Sequence, residues 1–276
     1  LASSVTGSPG LTELRRRGVR GGVIPRHRAM LGLRWTPGRA IRAVTLAVLF
    51  AAAVLIALPW LGSLYALFYE EAVWWVGIPA GVGINEVPIG NLLTIPVPYL
   101  RMAALWPATL DWIVVGGLTA LALIASFALP AGQLPARYFL RFVALVQLVS
   151  LGWFAFNDPP FLYPLPGYTG GLLSVGMAVL VLVPIVLGFT FYIFDHSLGQ
   201  QLLLSLLVLV HLAVFIPLQV LVHATAVHYF SALVQPTLFF IFGMLAQVLV
   251  FVSFYGWAMS WQGTEIPASP GAKGRP

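Results

Sequence analysis

Cysteine is absent from the 276 residues. That excludes disulfides, thiolate metal sites and cysteine nucleophiles. Charge is scarce as well: Asp, Glu, Lys and Arg make up 8% of the chain, against roughly 25% in an ordinary soluble domain. So little charge cannot cover a soluble surface. Several chemical signatures are also missing. There is no GxxxxGK[ST] phosphate loop, no GxGxxG dinucleotide fingerprint, no HExxH zinc helix and no GxSxG nucleophile elbow. The stretch GLLSVG over 171–176 has the wrong spacing for the last of these. No internal repeat is visible, so an inverted-repeat transporter gains no support. No cofactor is expected from these residues.

What is present is apolar. Hydrophobic residues make up 60% of the chain, and the mean hydropathy is +0.95. This composition belongs to a polytopic membrane protein. Six stretches are long enough to cross a bilayer, which takes about 20 apolar residues. They lie at about 43–68, 110–129, 138–156, 171–194, 201–222 and 230–257. The third carries Arg141 in its first turn, whose long stem can snorkel toward the interface. The expected fold is all-α, a six-helix transmembrane bundle.

The remaining charge is unevenly placed. Nine of the fourteen basic residues fall within 1–42, from Arg15 to Arg42. This basic arm carries no aromatic interleaving of the kind nucleic-acid binding uses, so membrane lipids, not nucleic acid, are its expected partners. Residues 1–29 lack periodicity and precede Met30, and read as an upstream extension or an unstructured tail. With the N-terminus inside, thirteen of the fourteen basic residues fall on the inner side and only Arg101 outside. The positive-inside rule then predicts both termini in the cytoplasm of a cell membrane. The tail over 258–276 would be inner too.

Two segments on the expected outer side are unusual. The first, 69–109, carries Trp74, Trp75, Trp106 and five prolines. Proline at that density prevents a continuous span, and indole rings favour the headgroup region. The segment is expected to lie at the outer interface, with a short helix around 99–106. The second, 157–169, contains Phe161 and Tyr163. Trp74, Trp75, Trp106, Phe161 and Tyr163 are candidate partner-docking residues, because exposed aromatic clusters make interface hot spots.

Polar groups inside spans are functional candidates by default. His211 lies near the middle of the fifth span, where it could carry protons or make one interhelical hydrogen bond, to Gln147, Gln235 or Gln247. His223 and His228 are expected to flank the turn between the fifth and sixth spans. Five residues turn a helix by about 140°, so they share no helical face. A bent turn could bring them together with Glu70, Glu71 or Asp158 as an outward N/O metal site. All three histidines are also candidate catalytic groups. Pro59, Pro184, Pro217 and Pro236 lie within spans, where each frees a carbonyl and favours a kink.

Three readings of function are open to such a chain. The first is a non-catalytic membrane subunit that docks a partner through its aromatic, proline-rich outer segments. The second is a permease subunit for a hydrophobic or lipid-like substrate. The third is a membrane enzyme acting on a lipid-linked substrate through the histidines.

Overall fold

The structure, a computed structural model, describes residues 37–89, 93–103, 105–158, 164–193, 196–259 and 261. Six helical spans are long and apolar enough to cross a membrane, with mean hydropathy from 1.8 to 2.7 over their most apolar windows. Five are single helices: α1 (Pro37–Trp75), α2 (Thr109–Ala128), α3 (Leu134–Phe156), α4 (Leu165–Ile193) and α5 (Leu198–Phe230). The sixth is composite. A 3-10 turn (Ala232–Val234) leads into α6 (Gln235–Leu238), a π-helical run (Phe239–Leu245) and α7 (Ala246–Met259).

The all-α expectation is corrected by one element. Between α1 and α2 stands an antiparallel hairpin of β1 (Gly81–Ile89) and β2 (Leu93–Arg101). The helix expected around 99–106 does not form; β2 runs through Arg101, and the described residues after it are irregular up to α2. The prolines explain how this strand survives. The register pairs Glu86 with Pro96, Pro88 with Thr94 and Ile84 with Pro98. Leu100, of the same parity, turns its amide away from β1 to donate to Thr169 Oγ1 at 3.1 Å. Pro88, Pro96 and Pro98 therefore all occupy positions whose amide the ladder does not use.

The hairpin is seated on α1 and α4. Ile95, Val97, Leu100 and Met102 join the main core formed with α1, α4 and α5. Gly62 is the close contact on α1: a β-carbon there would fall on the Pro96 carbonyl. On α4, Gly170 lies under Tyr99. Helices α2 and α3 pack on each other and meet the rest of the protein mainly at Ala232–Leu238. A second core joins them there, built of Val115, Phe154, Ala232 and Leu233 with Trp106, Trp112 and Trp153 against it.

Pro59, Pro184 and Pro217 sit inside unbroken helices. For Pro217 the replacement partner is visible. Its missing amide would have bonded the carbonyl of Ala213, and the Tyr65 hydroxyl donates there instead at 2.8 Å. Tyr69, fully buried, donates to the Pro217 carbonyl at 3.3 Å. Arg141, partly buried, reaches the end of α2. Its guanidinium donates to Ser126 Oγ at 3.4 Å and lies 4.4 Å from the Phe127 ring.

Helix ends also differ from the apolar stretches. α5 begins at a capping box, in which Ser197 and Gln200 bond each other's backbone amides. It then runs on to Phe230, well past the expected end near 222. The turn falls at Ser231, with φ 61° and ψ −174°.

Candidate functional site

The break in the last span gathers the buried polar residues Gln219, His223 and Gln247. At Gly243 the backbone leaves helical geometry, with φ −83° and ψ −107°. A break of this kind strips carbonyls of their helical partners. Gln219 of α5 supplies replacements. Its buried side-chain amide donates to the carbonyl of Gly243 at 2.8 Å and also to that of Phe242. Its own oxygen accepts from Gln247 Nε2 at 2.9 Å. Both protons and the oxygen of Gln219 are thereby engaged.

One turn along α5, His223 is fully buried. Its Nδ1 lies 2.6 Å from the Tyr168 hydroxyl, and the two rings stack with centroids 5.8 Å apart. Its Nε2 has no hydrogen bond of normal geometry among the described residues. The Phe242 ring closes the other side, with centroids 6.0 Å apart. A small cavity of about 90 Å³ adjoins the cluster, lined by Gly171, Leu172, Val175, Phe239, Gly243 and Gln247. The arrangement links α4, α5 and the broken span through hydrogen bonds in an apolar surrounding, where each bond is expensive to lose.

His211 stands apart. Its ring stacks on Phe215 at 5.6 Å and meets Phe254 edge-on at 5.3 Å. Its Nε2 is buried without a hydrogen-bond partner among the described residues. None of the three expected glutamines reaches it. Gln147 donates to the Leu233 carbonyl, Gln247 goes to Gln219, and the buried Gln235 leaves its Oε1 unpaired.

His223 and His228 do not flank a turn, as expected from the sequence. Both lie within α5, because the helix continues to Phe230. His228 packs edge-on against Tyr229, while Glu71 and Asp158 are exposed. Among the described residues no three His, Asp or Glu side chains come together as a metal site. The structure therefore does not bring the residues of the expected metal site into one cluster.

Of the aromatic candidates, Trp74 and Trp75 are 76% and 78% exposed and form an edge-on pair. Trp106 is half-buried, with its ring 5.3 Å from Phe154. Phe161 and Tyr163 lie outside the described residues. Tyr168, Gln219 and Gly243 do not stand out in the sequence. A glutamine two residues after an in-helix proline is the only local hint.

No known protein family, no curated protein and no solved structure matches this chain significantly.

Proposed function

We propose that this chain is a non-catalytic membrane subunit that docks a protein partner on its hairpin. The observation that carries this reading is the free edge of β1. Among the described residues the strand pairs only with β2, and it is exposed along most of its length. By the parity that sends the Leu100 amide to Thr169, the amides of Val82, Ile84 and Glu86 point away from β2. An extended segment of a partner adds as a third strand at such an edge. Pro88 and Glu86 on the same edge oppose indiscriminate pairing. The exposed Trp74 and Trp75, at the end of the helix leading into the hairpin, supply aromatic anchors of the hot-spot type.

The reading includes orientation. Arg39 and Arg42 stand in the first turns of α1, and Arg137 and Arg141 in the first turns of α3. The positive-inside rule favours both helix starts, and both termini, on the cytoplasmic side of a cell membrane.

A photo-crosslinking residue at Ile84, which is 51% exposed, tests the reading in cells. A discrete protein adduct at Ile84, absent for the same probe at Leu148 of α3 and lost with Trp74→Ala plus Trp75→Ala, is the expected result. The same diffuse pattern at both positions would overturn it.

The second reading, a permease subunit, is favoured by one observation: the break at Gly243 beside the small cavity. Unwound backbone at membrane depth is tolerated where it is buried or lines a cavity. This reading predicts labelling of a Gly171→Cys variant by a membrane-impermeant maleimide. Complete protection in sealed vesicles from both sides would count against it.

A further inference from the structure

We propose that the groove between α1 and α4 holds one anionic glycerophospholipid, with an acyl chain along the groove and its headgroup at the Arg39–Arg42 end. The groove exists because the two helices touch through their smallest residues. A β-carbon on Gly188 of α4 would stand 2.7 Å from the Ala47 β-carbon and 3.2 Å from the Ala43 carbonyl. Beside that contact, short side chains such as Ala40, Ala51 and Ala52 leave a furrow of about 630 Å³. None of its eleven lining residues carries a polar side chain.

Its length and wholly apolar lining suit an acyl chain. Ala40 to Leu55 is fifteen residues, about 22 Å along the axis, which exceeds the roughly 15 Å depth of one leaflet. Beyond Leu55 and Ile185 the furrow continues into a second apolar groove of about 440 Å³. There the hairpin residues Val87 and Ile89 form part of the wall. The hairpin thus bounds the far end of the channel.

The near end is cationic. Arg39 directly precedes the first lining residue, Ala40. Arg42 spends one guanidinium donor on the His196 carbonyl at 3.4 Å, out of the five an arginine carries. Arginine binds phosphate oxygens bidentately. Negative headgroups also concentrate on the cytoplasmic leaflet.

The test uses the full-length protein in nanodiscs of equal phosphatidylglycerol and phosphatidylethanolamine, released and weighed by native mass spectrometry. The wild type is expected to keep one lipid, with phosphatidylglycerol favoured about tenfold. Ala51→Phe, which fills the furrow, is expected to lose it. Ala53→Phe, exposed and outside the furrow, is expected to keep it. Arg39→Gln with Arg42→Gln should retain a lipid and lose the headgroup preference. Equal retention by Ala51→Phe and the wild type, or no preference in the wild type, overturns the proposal. A second measurement stands even where a variant fails to fold. A diazirine on the acyl chain of phosphatidylglycerol should label Val48, Leu55 and Phe189 of the wild type. Labelling spread evenly over the other exposed helix faces would overturn the assignment.

Discussion

The Tyr65 hydroxyl points across the bundle at the Ala213 carbonyl, 148 residues away in the chain. It occupies the acceptor that Pro217 leaves open one turn along α5. A proline four residues downstream is what makes that carbonyl available, so the tyrosine and the proline act as a pair.

Removing the hydroxyl is expected to orphan a buried acceptor. Tyr65→Phe should cost about 1 kcal/mol of stability. In a Pro217→Ala background the helix regains its own amide for Ala213, and the same change should cost less than half as much. Unfolding of the four proteins in one detergent gives this double-mutant cycle. Equal costs in both backgrounds would show that the hydrogen bond does not answer to the proline.

Gly62 sets the seat of the hairpin. Gly62→Ala improves helix propensity by about 1 kcal/mol in isolation, yet its new methyl would strike the Pro96 carbonyl. The variant should expose the hairpin to protease, seen as faster clipping between α1 and α2. Gly116→Ala, where the space is open, should leave the clipping rate unchanged.

Ser231 holds a backbone conformation close to the region only glycine favours. Contacts of the next two residues keep it there: the Ala232 amide donates to the Leu105 carbonyl, and Gln147 and Ser150 both donate to the Leu233 carbonyl. Ser231→Gly should therefore stabilise the protein by about 1 kcal/mol. Ser231→Val should lower the unfolding midpoint.

Gln219 closes three hydrogen bonds around the break at Gly243, and Gln247 closes one of them. Gln219→Leu should accelerate amide hydrogen exchange over Phe239–Leu245 more than Gln247→Leu does. Equal rates in the two variants would remove the glutamine from its place as the anchor of the break.

The six spans were legible because each rests on about 20 residues of hydropathy, a signal that survives local irregularity. The hairpin was not. Pro88, Pro96 and Pro98 argued only for disruption, and the alternation of Ile95, Val97 and Tyr99 was hidden among them. Gly90–Asn91 between the two runs is the turn signal that would have revealed it. Helix ends were misjudged where hydropathy falls before the helix does: α5 continues past His223, whose buried ring meets Tyr168, to Phe230. The in-span prolines pointed to kinks at Pro59, Pro184, Pro217 and Pro236; in the last span the backbone leaves helical geometry at Gly243, seven residues after Pro236. Which carbonyl finds a substitute donor depends on a neighbouring helix, and a single chain segment does not encode that. Gly176 and Gly188 sit at close helix contacts, whereas Gly116, Gly117, Gly152 and Gly171 face open space.

The seat of the hairpin also fixes an order of events during synthesis. Leu100 bonds Thr169, which the ribosome reaches 69 residues later. At the roughly 5–20 residues per second of translation, that interval is about 3–14 s. Through those seconds α1 and both strands exist without α4, and Tyr65 waits longer still for Ala213. Whatever machinery inserts this chain meets the hairpin before its seat has been made. A nascent chain stalled after α3 would present β2 with its α4 contacts missing.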